Sequence, residues 1–486
     1  MTSVAPGTEA ATRIADVEAH SAGLRKELGL VSLVLTQVMY VVGSAWVGTA
    51  AKLGPSHVVF WSLAILLYYL PQAAVVIYLN RRMPLEGGLY QWATVGLGDF
   101  WGFLTAWYLW AYTILIIGVF GVVIATNVSY LIGPLGASFV HAPWYTPVVS
   151  SLSVVALTIV SLYGLKVSKW LQGLGGAAQF LTYLALIAAL VLAVSHRTPA
   201  SARALGVAMP SVTPYSLNIF GKMALGALSG FEYVAILAGE CKDPARTVGR
   251  SVLFAVPIIA AMFILGTTSV LAIVPQDQID LVSPIPQTLT MGFAGLGVGR
   301  IVVPMLILFL LCRQCGNVAL LFAGNTRLPM VAGWDRLVPK WFTRLHPRFQ
   351  TPHNSIFFVG GITLALTLAG QVGVGLQEAF QLLENAGGIL YAFTYIAMFA
   401  IPIFGARRLG ARPPLWLQLA SAAGLLVSVL YSVLSIFPII DVRNPGQFAG
   451  KIVLTLAGAT AVGLGIYAAG RWKERENAID RVSGPC

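Results

Sequence analysis

Runs of about twenty apolar residues recur so often along this chain that a lipid bilayer is the solvent able to accommodate them. A helix rises about 1.5 Å per residue, and a hydrocarbon core about 30 Å thick therefore takes roughly twenty residues. Twelve spans are predicted, near Leu28–Ala51, His57–Leu79, Trp101–Ile124, Tyr145–Tyr163, Leu174–Val194, Ile219–Ala238, Val252–Val274, Ile301–Ala323, Ser355–Ala369, Phe380–Phe404, Leu415–Phe437 and Phe448–Ala469. The expected fold class is thus all-α and polytopic. A composition that is 57% hydrophobic and 10% charged agrees, and it excludes a soluble globular domain.

The net charge of +12 first suggests a nucleic-acid partner, but its distribution follows the spans. With the N-terminus placed inside, 22 of the 30 basic residues fall on the inner side. Seven fall on the other side, Lys52 and Lys222 among them, and Arg313 alone lies within a span. Lys and Arg accumulate on the cytoplasmic side of membrane proteins, so both termini are expected there and no nucleic-acid partner is implied. Met1 to His20 lack a charged leader followed by a cleavable apolar core, so no signal peptide is expected; residues 1–27 are expected to form a cytoplasmic tail, in the inner (plasma) membrane of a bacterium.

Cys241, Cys312, Cys315 and Cys486 imply no disulfide framework. Cys312 and Cys315 have CxxC spacing, but in an apolar helix without nearby His they read as packing residues, not as a zinc or redox site. No cofactor is called for. Neither His-Glu-x-x-His nor Gly-x-Ser-x-Gly nor paired aspartates occur within the spans, so an enzyme is not expected.

Function then falls to the helices themselves. Small residues interrupt two of them at matching places, Val42-Gly43-Ser44-Ala45-Trp46 in the first and Leu228-Ser229-Gly230-Phe231-Glu232 in the sixth. Matching interruptions in the first helix of each half mark inverted-repeat transporters, whose discontinuous helices build a site near mid-membrane. Small residues that simply let helix backbones approach give the same pattern, and at this point both readings stand.

Four stretches resemble the amino acid-polyamine-organocation (APC) superfamily of transporters. Pro84-Leu85-Glu86-Gly87-Gly88-Leu89-Tyr90 follows the second span, with Phe100-Trp101-Gly102-Phe103 opening the third. Gly239-Glu240-Cys241-Lys242-Asp243-Pro244-Ala245-Arg246 follows the sixth, and Asn325-Thr326-Arg327-Leu328-Pro329 with Asp335-Arg336-Leu337-Val338-Pro339 follow the eighth. The resemblance implies a LeuT-like fold, with a five-helix repeat over residues 28–200 and an inverted copy over 201–410. Two accessory helices over 411–470 and a cytoplasmic tail over 471–486 complete it. The resemblance also implies a secondary carrier of amino acids or closely related small amines that works by alternating access, proton-coupled or exchanging. A polyamine or organic-cation carrier and a transporter-like sensor are the alternatives. The implied partners are the bilayer and a small-molecule substrate.

A helix break leaves N–H groups unpaired at one end and C=O groups at the other, which suit the carboxylate and the ammonium of an amino acid. By resemblance, Gly43, Ser44 and Ala45 would receive the carboxylate, and carbonyls near Val42 and Ser229 the amine, with Gly230 and Phe231 beside them. Ala45 stands where the family usually has Gly. Trp46 either closes over the substrate or fills space between helices. Tyr108 and Tyr112, four apart on one helix face, either line the pocket or pack. Related cationic amino acid exchangers place an aromatic gate where this chain has Gly226.

Charge near a bilayer centre costs about 2.5–3.5 kcal/mol on insertion scales, so ionisable residues within spans carry weight. Glu232 matches a family glutamate and reads as a proton carrier, and equally as the last member of a Ser229-x-x-Glu232 capping box. Arg313 requires a counter-charge, either an internal carboxylate such as Glu232 or Glu384 or an anionic group of the substrate. Some relatives hold a sodium-like position with a Lys in the fifth helix, and the matching residue here is Gln179, a neutral amide. Proton, sodium and exchange coupling all remain open from the sequence.

Overall fold

Hydrocarbon offers no partner to a peptide group, so a spanning segment must satisfy its own backbone, and the helix does so. The computed structural model describes residues 29–83, 88–140, 142–162, 166–196, 204–231, 244–331, 339, 341–342, 344–347, 349, 351–405, 408 and 412–482. Every regular element among the described residues is helical. In chain order the α-helices are α1 (Leu30–Val41), α2 (Ala45–Ala51), α3 (His57–Ala64), α4 (Leu70–Arg82), α5 (Leu89–Leu97), α6 (Asp99–Ile132), α7 (Pro134–Val140), α8 (Tyr145–Leu162) and α9 (Lys166–Ser195). They continue with α10 (Pro214–Gly221), α11 (Pro244–Ile273), α12 (Pro284–Gly292), α13 (Gly299–Val331), α14 (His353–Gln371), α15 (Leu376–Phe404), α16 (Leu415–Leu434) and α17 (Pro445–Val482).

Ten helical runs among the described residues are long and apolar enough to cross a membrane, and they match the second to fifth and seventh to twelfth expected spans. The other two expected spans are interrupted. α1 and α2 are separated by Val42, Gly43 and Ser44, and α10 continues into a π-helical turn, Lys222–Ala227, that ends before Ser229 and Gly230. A second π turn, Ile65–Tyr69, joins α3 to α4.

Long apolar helices α6 and α15 pack along one another at the centre, with 67% of the most apolar window of each buried. In α17 the same share is 11%, and Leu454 and Val453 face outward, as lipid-facing residues do. α9 lies along α13, and α11 lies along α1. The ninth expected span is longer than the sequence suggested, His353–Gln371, and α17 runs past position 470 to Val482.

One charge was misplaced by the sequence reading. Lys222, counted with the outward loops, is 1% exposed within the sixth segment, so Arg313 is not the lone basic residue inside a span. The helix starts at Pro214, capped by Thr213 and Ser216, and not at Ile219, which draws Lys222 well inside. Glu232, the segments 84–87 and 239–243, residues 335–338, and the tails 1–28 and 483–486 lie outside the described residues.

Candidate functional site

The first break is an extended step. Val42 has φ −79° and ψ 93°, and α2 restarts at Ala45 after Ser44, whose side chain makes no capping hydrogen bond. Gly43 is required because the Trp46 ring folds back over it, and a Cβ there would lie 2.7 Å from Trp46 Cδ1. The far edge of the same ring rests on Gly226 in the sixth segment, where a Cβ would lie 2.7 Å from Cζ3. Trp46 therefore bridges the two interrupted helices, with a glycine under each end. Gly226, where related cationic amino acid exchangers place an aromatic gate, is the seat of this indole.

The second break is set by Gly230, whose φ of +112° disfavours any residue with a Cβ. Its N–H, which has no partner in a helix, donates to Tyr395 Oη at 2.9 Å. Tyr395 also accepts from Gln72 Nε2 at 2.9 Å and lies 3.3 Å from Tyr391 Oη. Ser229 Oγ is 2.9 Å from Tyr68 Oη, and the Phe231 ring stands edge-on to Tyr69. The sixth-helix break is thus tied to the second span and to α15. Ser229, read as a capping residue for Glu232, turns its hydroxyl to Tyr68, and Glu232 itself lies outside the described residues.

Carbonyls at the end of α1 already have donors. Val42 O accepts from Gln179 Nε2 at 2.8 Å and from Arg313 Nη2 at 3.2 Å, and the same Nη2 lies 3.4 Å from Met39 O. A carbonyl oxygen has two lone pairs, so the Val42 acceptor is fully used. Among the described residues Arg313 makes no ion pair, and Glu384 faces Lys222 instead. Of the counter-charges open to Arg313, Glu384 does not pair with it, Glu232 lies outside the described residues, and the guanidinium sits at a helix C-terminus, where the macrodipole favours a cation.

The structure separates the two tyrosines of the third span. Tyr112 stacks on Tyr391 with ring centroids 4.3 Å apart, whereas Tyr108 packs on Phe393 and its hydroxyl reaches Thr460 on α17 at 3.4 Å. The sequence reading missed Tyr68, Gln72, Tyr391 and Tyr395. Their signal was available as pairs of polar or aromatic residues four apart within apolar spans, which places each pair on one helix face.

α12 packs among α2, α9 and α11. It packs on α2, where a Cβ on Gly48 would lie 2.6 Å from Pro284 Cβ. Ser283 donates to Asn127 Oδ1 at 2.6 Å, and Asn127 donates to Gln314 Oε1 at 2.8 Å. In the preceding loop Asp280 accepts from the N–H groups of Val282 and Ser283 and from Tyr130 Oη. Burial pushes the Asp280 carboxyl above its ordinary range, and those three hydrogen bonds oppose the shift.

The chain is similar to known proteins in sequence and in fold. The family model described as amino acid permease matches residues 27–457. An uncharacterized transporter of Mycobacterium tuberculosis is 28% identical over 358 residues, covering 72% of this chain and 75% of that protein. A serine/threonine exchanger of Bacillus subtilis is 24% identical over 400 residues, covering 80% of this chain and 86% of that one. The crystal structure of MhsT in complex with L-phenylalanine aligns with a TM-score of 0.58 at 14% identity, over 85% of this chain and 99% of that chain. At that identity the likeness establishes the fold, which is of the LeuT type.

Proposed function

The chain belongs to the amino acid permease family, and we propose that it carries a zwitterionic α-amino acid across the membrane by alternating access, with the two helix breaks as its site. The observation that carries this reading is Trp46, which spans from Gly43 in the first break to Gly226 beside the second and so brings both sets of unwound peptides to one place. Amides of Ser44 and Ala45, at the uncapped start of α2, suit the substrate carboxylate. With Val42 O occupied by Gln179 and Arg313, the amine turns to the carbonyls around Leu228 and Ser229.

The coupling mode we favour is exchange or proton coupling. Sodium loses support because the carbonyl end of α1, which suits a small cation, already receives the Arg313 guanidinium. Small uncharged side chains are favoured, because Trp46 and Phe231 bound the breaks, and this agrees with the serine/threonine exchanger among the relatives. The basic residues Arg81, Arg82, Arg250, Arg327 and Arg408 support the orientation with both termini in the cytoplasm of a bacterial inner membrane.

The test is counterflow. Vesicles holding the purified protein and loaded with a mixture of unlabelled amino acids should accumulate a labelled neutral amino acid above protein-free vesicles. If no proteinogenic amino acid is taken up or raises the melting temperature of the protein, the reading fails.

A further inference from the structure

The sixth segment holds a second polar centre that the amino acid site does not use. Lys222 opens the π turn Lys222–Ala227 and is 1% exposed. Its Nζ donates to Oδ1 of Asn385 on α15, which is fully buried. Glu384, one residue earlier, faces the same ammonium electrostatically but has no hydrogen-bond or ion-pair partner among the described residues. Lys222 lies six residues before Leu228, about 9 Å along a helix axis, which separates this centre from the break.

An ammonium and a carboxylate that share one buried region without touching are expensive as ions. Unpaired charge in a low-dielectric interior costs several kcal/mol, and groups so placed exchange protons in preference to bearing it. A proton site also needs access. Of the three residues Glu384 is the least enclosed, 7% exposed against 1% for Lys222 and none for Asn385. Asn385 supplies a neutral acceptor to the lysine, which leaves the carboxyl free to gain and lose its proton.

Other titratable groups around the pair are accounted for. Tyr431 on α16 faces Glu384, and Tyr112 on α6 faces Tyr431. On the second span Tyr68 is bonded to Ser229, Tyr69 stands edge-on to Phe231, and His57 turns Nε2 toward Thr268. α2, which also packs on the π turn, carries no titratable residue. Arg81 and Arg82 sit in the last turn of α4, Asp99 opens α6, and Lys451 on α17 is exposed.

We propose that Lys222 and Glu384 form a proton-exchanging pair, distinct from the amino acid site, that makes movement of the first half of the sixth segment depend on pH. A proton taken up from water by the Glu384 carboxylate removes the charge attracting the Lys222 ammonium, so that the Asn385 amide alone holds Lys222 to α15. Release of that proton restores the attraction. The consequence for transport rests on the carrier reading, whereas the proton exchange does not.

Infrared difference spectra of the purified protein in lipid, recorded as pH is stepped, read the carboxyl directly. Wild type should show a protonated-carboxyl band that grows as pH falls, and Glu384→Gln should lose that band. Lys222→Arg carries a charge that cannot be removed, so its band should move along the pH axis. Uptake by Glu384→Gln should lose its pH dependence while exchange at fixed pH persists. A band unchanged in Glu384→Gln overturns the pair. Should that variant fail to fold, an unmoved band in Lys222→Arg overturns it equally. Wild type that shows the titrating band yet transports no amino acid overturns the carrier reading alone.

Discussion

Arg313 Nη2 donates to the Val42 carbonyl across 3.2 Å, so the last turn of α1 is bound to a cation carried by the protein itself. Gln179 takes the other lone pair at 2.8 Å. Replacing sodium by choline in a vesicle assay should therefore leave the initial uptake rate within about twofold, which is under half a kcal/mol. A larger fall would show that a sodium ion binds where this pairing leaves no acceptor. Arg313→Gln should lower stability by about 1.5–3 kcal/mol, the range for hydrogen bonds to charged groups, read as the change in denaturant midpoint or melting temperature.

The contact between Trp46 and Gly226 makes a sharp prediction about volume. A methyl at Gly226 lies 2.7 Å from Trp46 Cζ3 and must displace the ring. Overpacking of this kind costs about 1–3 kcal/mol, so Gly226→Ala should reduce exchange roughly tenfold. Trp46→Phe should restore much of it in the double variant. Additive losses in the double-mutant cycle would mean that the two residues do not act through contact.

Tyr395 joins the sixth-helix break to the second span, accepting from Gly230 N and Gln72 Nε2. Tyr395→Phe leaves both donors buried without that acceptor and should destabilise the protein by about 1–3 kcal/mol. Gly230→Ala adds strain of about 1–2 kcal/mol from the left-handed backbone. Thermal unfolding in detergent measures both, and a melting temperature unchanged in either variant would refute the assignment.

Asp280 supplies a pH signature outside the membrane spans. Burial raises its carboxyl above the unfolded value of about 3.9, so the folded chain binds this proton more tightly than the unfolded chain. Its contribution to stability is full below the unfolded value and is lost as pH rises through the folded one. Wild type should therefore lose melting temperature relative to Asp280→Asn as pH climbs from about 4. A constant difference between the two proteins would rule out this titration.

Much of the architecture was readable because apolar length and small-residue interruptions are local signals. The breaks at Val42–Ser44 and Ser229–Gly230 stand where those residues placed them, and the family motifs pointed to the fold that the MhsT likeness shares. Partnerships were less legible. For Arg313 the sequence offers only opposite charges as partners, a carboxylate or a substrate anion, whereas the end of a helix also supplies a negative pole built from peptide carbonyls. Lys222 escaped notice because a helix start misjudged by five residues, Ile219 for Pro214, moves a lysine from the edge of a span to its interior. The ties from Tyr395 to Gly230 and Gln72 join residues 165 and 323 positions apart, which spacing along one chain cannot reveal.

The seating of Pro284 against Gly48 has a consequence for how α12 and α2 can part. A proline ring resting in a glycine notch is a rigid wedge, and α2 can neither tilt toward it nor slide beneath it. Parting α12 from α2 would lift that ring from its notch and load the Ser283–Asn127–Gln314 chain in the same stroke, because Ser283 immediately precedes α12. One proline and three polar side chains would then have to yield together.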